Sequence, residues 1–133
     1  MARMDFYYVS YEVAVSLHSK AVTGERVRDP GRLRAILDTV QDIGHRSSEK
    51  DAIAKKAAYL LCEISWQQPF TKGNKRASFV ISSTFLRING WRFLPIITWD
   101  TMFDLIMAIA QRKKSRQQVE TFMKTFLVPS PQL

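Results

Sequence analysis

The chain has 133 residues, of which 46% are hydrophobic, and it carries a formal net charge of +8 at pH 7. This length predicts one domain over residues 1–133 with a sizeable core, and the charge favours nucleotides, nucleic acid or an acidic protein as partners. No apolar run approaches the roughly 18 residues of a membrane span, and the N-terminus lacks the apolar run of a signal peptide. A single cysteine, Cys62, excludes an internal disulfide framework. We therefore expect a cytoplasmic protein that does not bind membranes and that buries its one thiol.

The first part of the chain predicts one short strand and two helices. Residues 6–9 are interpreted as the strand, and Ser10 is a candidate cap for a helix that ends near Gly24. Asp29 followed by Pro30 marks the start of the second helix, because a capping residue before proline at the first helical position is a typical start signal.

The third helix is predicted to lie at the centre of the fold. Residues 43–46 form a loop before it, and Ser48 with Asp51 resembles a capping box in which Asp replaces the usual Glu or Gln. The helix runs to about Trp66, and its second half is apolar on most sides except at Glu63. Such a pattern is typical of a helix surrounded by others.

The fourth helix is predicted to begin near residues 74–76 and to end at Asn89 and Gly90, with glycine in the left-handed position. Residues 91–94 are interpreted as a second short strand, and Thr98 is a candidate cap for the fifth helix.

A capping box formed by Ser115 and Gln118 predicts the last helix, which is expected to continue through Leu127 before a tail at Pro129. Residues 112–116 form a basic cluster between the last two helices. In total the sequence predicts an all-α fold of about six helices with one or two minor strands.

The segment that joins the third and fourth helices is the most informative one. Residues 68–76 read Gln-Pro-Phe-Thr-Lys-Gly-Asn-Lys-Arg and end where a helix begins. A helix start offers unpaired N–H groups and a positive dipole end, glycine permits close approach, and cations add charge. Gly73, Asn74, Lys75 and Arg76 are therefore the candidate phosphate-binding residues.

This segment resembles the signature loop of the Fic/Doc (fido) family, usually written H-x-F-x-[D/E]-[G/A]-N-[G/K]-R. Two further landmarks in the same order resemble the Doc-like (death-on-curing) subgroup: Val-Arg-Asp-Pro-Gly-Arg-Leu at residues 27–33 and Leu-Arg-Ile-Asn-Gly-Trp at residues 86–91. The resemblance covers nearly the whole chain. It implies a fido-type helical domain that binds ATP and transfers AMP, or in the Doc branch a phosphoryl group, to a protein hydroxyl.

In the family, the resemblance implies, the histidine takes the proton of the target hydroxyl and the acid holds Mg²⁺ on the nucleotide. Here Gln68 stands in place of the histidine and Lys72 in place of the acid. An amide cannot act as a general base, and general base catalysis typically raises the rate about 10²–10⁴-fold. A charged lysine cannot bind a metal, so no metal site is predicted and Mg²⁺ is not expected to have its family role. Pro69, Phe70 and Thr71 are expected to shape the loop.

The two histidines of the chain are the remaining candidates for the missing base. His18 is expected to be packed or exposed on the first helix, and His45 to lie in the loop that corresponds to the family's target-docking flap. Gln68 could also replace a native histidine, although that would leave Lys72 unexplained.

Three functions remain open at this stage. The first is a Doc-like protein with a degenerate site that binds a nucleotide or other phosphate-bearing ligand with weak or no transfer. The second is an active toxin-type AMP-transferase or kinase of a toxin–antitoxin pair, with an antitoxin-like inhibitor supplied in trans. The third is a basic module that binds nucleic acid or an acidic protein.

Overall fold

The computed structural model describes residues 5–24 and 26–131, which form a mainly helical fold. In this part of the chain there are six α-helices, two short strands and one 3₁₀ turn, Val40–Asp42. The bounds are α1 Tyr11–Ala21, α2 Pro30–Thr39, α3 Glu49–Gln67, α4 Asn74–Ile88, β1 Trp91–Phe93, α5 Trp99–Ala110, α6 Arg116–Phe126 and β2 Leu127–Pro129. The predicted all-α architecture is confirmed. No helix in the described ranges is long and apolar enough to cross a membrane.

The core is built around α3, as its apolar pattern predicts. Helices α2, α4, α5 and α6 all pack against it, and residues 52–62 are buried with the exception of Lys55. Each fully buried Leu, Ile or Phe side chain contributes about 1.5–3 kcal/mol of transfer free energy. The loop that follows α3 is therefore attached to the most strongly packed element of the fold.

Five of the six described helices begin with a side-chain cap. In each case the capping oxygen accepts a hydrogen bond from the backbone N–H three residues later; these caps are Ser10, Asp29, Ser48, Thr98 and Ser115. The exception is α4, whose N-cap is Gly73 and which has no side-chain cap. The predicted capping box at Ser115 is confirmed.

The box predicted at the start of α3 forms only in part. Ser48 Oγ accepts from the Asp51 N–H, but the Asp51 carboxylate lies 2.7 Å from Lys124 Nζ on α6. This ion pair lowers the pKa of Asp51, chiefly through the hydrogen bond from Lys124. The Asp51 side chain, which the capping-box motif predicted would bond to the start of its own helix, is thus paired with Lys124 of a neighbouring helix.

The strand predicted at residues 6–9 is wrong. The Tyr7 N–H donates to Asn89 Oδ1 and the Tyr7 carbonyl accepts from Asn89 Nδ2, both at 2.8 Å. A single amide side chain satisfies one residue but cannot continue as a ladder, so the segment remains irregular. Helix α1 also ends at Ala21, three residues before Gly24, because Val22 adopts an extended conformation.

The end of the chain also differs from the prediction. The strand expected at residues 91–94 is present as β1, but α6 ends at Phe126 rather than continuing through Leu127. Residues of β2 pair antiparallel with β1, with Val128 opposite Arg92. Leu127 is extended, with φ −88° and ψ 139°, and pairs with Phe93, while Pro129 disfavours the helical region for Val128, the residue before it.

Burial of Cys62 makes a testable pH dependence. Desolvation, with a smaller contribution from Glu63, raises the pKa of the thiol from 9.0 to about 12. The folded chain therefore keeps a proton that the unfolded chain loses. This contribution to stability is complete below the unfolded pKa and is lost as the pH rises towards the folded pKa, at about 1.4 kcal/mol per pH unit.

We expect the free energy of unfolding of Cys62→Ala to fall less steeply than that of the unsubstituted chain between about pH 9 and pH 11. Urea unfolding at a series of pH values measures both slopes. Burial also raises the pKa of Tyr8 and Tyr59, so part of the alkaline loss should remain in the variant. Identical slopes for the two proteins would contradict the prediction.

Candidate functional site

Gln68 ends α3 in the left-handed conformation, with φ 51° and ψ 60°. Two arginines form hydrogen bonds with the carbonyls at this helix end. The Arg28 guanidinium donates to the Gln67 and Gln68 carbonyls, and Arg32 Nη1 donates to the Gln67 carbonyl at 3.0 Å. Cations at a helix C-terminus are favoured by both hydrogen bonding and the dipole. Sequence reasoning did not single out these arginines, although both lie within the first Doc-like landmark, residues 27–33.

The loop itself is closed by the side chain of Asn74. Its Oδ1 accepts from the Phe70 N–H at 2.9 Å, and its Nδ2 donates to the Phe70 carbonyl at 3.0 Å. The Phe70 ring is fully buried below. The Asn74 side chain therefore shapes the loop, and only the backbone N–H of Asn74 is left to bind an anion.

A second segment of the chain runs along the loop and holds it in place. The Thr71 N–H donates to the Arg26 carbonyl at 2.9 Å, and the N–H groups of Arg28 and Asp29 donate to the Pro69 carbonyl at 2.8 and 3.0 Å. These bonds form a short antiparallel bridge. Pro69 and Thr71 therefore lie where their backbones fix the shape of the loop.

His18 supports the loop from α1. Its side chain is 1% exposed and stacks on the Phe70 ring, with the ring centroids 3.9 Å apart. His18 Nε2 lies 2.9 Å from the Lys72 carbonyl, and because a carbonyl only accepts, Nε2 carries the proton and donates. Because the ring is buried, a target hydroxyl cannot reach it.

His45 is placed away from the loop. Its side chain is exposed, its Nε2 lies 4.0 Å from Asp42 Oδ1, and it lines a different cavity together with Lys56. Neither histidine is therefore positioned to replace the base histidine that the family has at position 68.

A cavity of about 390 Å³ lies between the loop and α5. Its lining is cationic on the side of the loop and apolar on the side of α5; the residues are Val22, Lys72, Gly73, Lys75, Arg76, Trp99, Phe103 and Ile106. Trp99 is 55% exposed and Phe103 is 49% exposed, which is unusual for side chains of this size. Sequence reasoning did not identify these two aromatic residues, because their spacing is that of any amphipathic helix.

The charge distribution at this cavity favours an anion. Helix α4 has no side-chain cap and no acidic residue in its first turn, while Lys75 and Arg76 occupy that turn. Cations at a helix N-terminus are disfavoured by the dipole unless a negative charge is present. Arg76 also donates through Nη1 to the Ala21 carbonyl at 3.1 Å, so its guanidinium is held at the rim by the end of α1.

The residues at the site do not fit a divalent metal. Lys72 lines the cavity where the family motif has an acid, and the described ranges contain no group of three or more His, Cys, Asp or Glu that could hold a metal ion. Mg²⁺ at a nucleotide site is usually bound through one or two protein carboxylates together with the substrate phosphates, and none of the described residues that line this cavity is a carboxylate. The positive charge at this site comes from the side chains of Lys72, Lys75 and Arg76.

Comparison with known proteins shows the family of the chain. The model of the Fic/DOC family matches residues 8–86, a range that contains the whole loop and most of α4. Over 106 residues the chain is 31% identical to a protein named Toxin Doc from Mycolicibacterium smegmatis (strain ATCC 700084 / mc(2)155). The aligned part covers 79% of this chain and 82% of that relative. The chain therefore belongs to the Fic/DOC family, as a Doc-like protein.

Proposed function

We propose that this protein binds a nucleotide, ATP in the simplest case, in the cavity between the loop and α5, and that it transfers AMP or phosphate to proteins weakly or not at all. One observation carries the proposal: the same cavity has an uncapped helix start with Lys75 and Arg76 on one side and Trp99 and Phe103 on the other. Phosphates suit the first side and a base suits the second.

Each part of the cavity has a distinct task in this proposal. The N–H groups at the start of α4, with Lys75 and Arg76, bind the phosphates. Lys72 supplies positive charge but, as a point charge, orients fewer phosphate oxygens than a metal would. Trp99 and Phe103 contact the base, and such stacking contributes about 1–3 kcal/mol.

Transfer is expected to be weak because nothing at the site removes a proton from an attacking hydroxyl. The Gln68 side chain is an exposed amide, and the nearby His18 imidazole is buried and bonded to the Lys72 carbonyl. Loss of a general base alone lowers the rate by about 10²–10⁴-fold.

We expect calorimetry to show ATP binding that changes little when Mg²⁺ is omitted. Lys75→Gln should weaken ATP binding roughly 10-fold or more, because a charge-assisted hydrogen bond contributes about 1.5–3 kcal/mol. Arg87→Gln is the matched control, since it removes the same charge from the last turn of the same helix. Binding that requires Mg²⁺, or equal weakening by both substitutions, would refute the proposal.

A second candidate is an active toxin controlled by an antitoxin. It is favoured by the 31% identity to a relative that is named as a toxin. In this case a separate antitoxin protein binds the chain, and both act in the cytoplasm. Growth arrest on expression of the unsubstituted chain, relieved by co-expression of a neighbouring small reading frame, would favour this candidate over the first.

A further inference from the structure

A second basic surface lies outside the nucleotide cavity, at the turn between α5 and α6. Here Trp66, Arg112, Lys113, Lys114 and Arg116 surround a concavity of about 670 Å³. None of the described residues that line it is acidic, and Lys113 and Lys114 are exposed and make no ion pair within the described ranges. The concavity therefore carries uncompensated positive charge. Residues 112–116 also lie beyond the residues 8–86 that match the family.

Arg112 occupies a backbone position that would suit glycine better. Its φ is +60°, and the N–H groups of Arg112 and Lys113 donate to the Ile109 and Ala108 carbonyls at 2.9 and 2.8 Å. These bonds form the Schellman arrangement that ends a helix, in which the left-handed residue is usually glycine. An arginine at this position strains the backbone, so the helix stop does not explain why the residue is arginine.

The Arg112 side chain forms a flat platform on α3. The guanidinium carbon lies 4.3 Å from the centre of the Trp66 ring, and Trp66 Nε1 donates to the Ile109 carbonyl at 2.8 Å, which fixes the indole. Arg112 remains exposed. Guanidinium planes and aromatic rings of this kind stack on unpaired bases, whereas an acidic protein surface would need only the charges.

The acidic residue Glu63 on α3 contacts the basic turn. Arg116 Nη1 lies 3.4 Å from Glu63 Oε2, and Gln67 Nε2 donates to Glu63 Oε1 at 2.7 Å. Glu63 is thus already engaged and leaves the lysines uncompensated.

We propose that the α5–α6 turn and Trp66 bind single-stranded nucleic acid, with Lys113 and Lys114 contacting the phosphodiester backbone and Arg112 stacking on a base. The binding is non-specific in sequence, because every base offers a flat face. It is a function separate from the proposed nucleotide binding and does not depend on it.

The test is fluorescence anisotropy of the full chain with labelled oligothymidylate and oligouridylate of about 20 nucleotides over a range of salt concentrations. For single strands the slope of log K against log salt is about −0.7 per phosphate contacted. Lys113→Gln/Lys114→Gln should therefore reduce the size of the slope by about 1.4 and weaken binding roughly 25-fold at about 0.1 M salt. The two oligonucleotides distinguish DNA from RNA as the source of the backbone.

Arg87→Gln/Arg92→Gln is the matched control, because it removes two exposed positive charges, at the other end of α4 and in β1. It should leave the slope unchanged. An equal change with both double variants would mean that net charge alone governs binding and would overturn the proposal. The same conclusion would follow if polyglutamate competed as strongly as an oligonucleotide of equal charge, or if the unsubstituted chain bound neither oligonucleotide at low salt.

Arg112→Gly separates the proposed contact from a structural role. Glycine relieves the positive φ, so the denaturation midpoint should not fall, whereas oligonucleotide binding should weaken roughly 10-fold through loss of the stacking platform. Unchanged oligonucleotide binding would contradict the role of Arg112. Lys75→Gln should leave oligonucleotide binding intact and Lys113→Gln/Lys114→Gln should leave ATP binding intact, so failure of one proposal is distinguishable from failure of the other.

Discussion

Gln68→His/Lys72→Asp is expected to transfer label from ATP to protein at least roughly 10²-fold faster than the unsubstituted chain, in a Mg²⁺-dependent manner. The histidine supplies a base and the aspartate supplies a carboxylate of the kind Mg²⁺ binds. Both positions are exposed, and the backbone around them is held by Arg28 and by His18, so the substitutions should not disturb the loop.

Gln68→His alone should help little, because base and metal serve one transition state and their effects are not additive. The measurement is labelled-ATP transfer into a cell lysate by the unsubstituted chain and by the single and double variants. Gln68→Asn/Lys72→Gln is the control for substitution without chemistry. Strong Mg²⁺-dependent labelling by the unsubstituted chain would contradict the degenerate-site proposal and favour an active toxin.

Gly73→Ala is expected to lower the free energy of unfolding by about 2–5 kcal/mol. Gly73 has φ +73°, and a Cβ added there would lie 2.4 Å from Val22 Cγ2. The cost has two parts, a left-handed backbone of about 1–2 kcal/mol and overpacking of about 1–3 kcal/mol. Because the loop cannot retreat without breaking the His18 and Asn74 contacts, ATP binding should weaken as well.

Gly90→Ala isolates the first part of that cost. Gly90 has φ +78°, but an added Cβ would meet nothing within 4 Å, so we expect a loss of about 1–2 kcal/mol only. Combining Gly73→Ala with Val22→Ala should recover part of the overpacking cost. Urea unfolding of the unsubstituted chain, the two single variants at positions 73 and 22, and the double variant measures this recovery as a coupling energy. Equal losses in Gly73→Ala and Gly90→Ala would show that the contact with Val22 carries no weight.

The helices and their starts could be predicted because the signals are local. Ser10, Asp29, Thr98 and Ser115 each accept a bond from a backbone group three residues later, and the apolar stripes repeat with the helical period. Two of the errors occur where a distant group intervenes. Asn89 takes both backbone bonds of Tyr7, and Lys124 takes the carboxylate of Asp51.

By itself the sequence determined the all-α fold and the position of the loop between α3 and α4. It also determined that position 68 has no base and position 72 no acid, because residue identity alone decides whether a side chain can take a proton or bind a metal. The tertiary structure decided how the loop is held and what faces it. His18 meets Lys72 across 54 positions of the chain and Arg28 meets Gln68 across 40. Trp99 and Phe103 become a cavity wall only because α5 packs beside the start of α4. Such pairings depend on how helices pack, and no local pattern of residues specifies them.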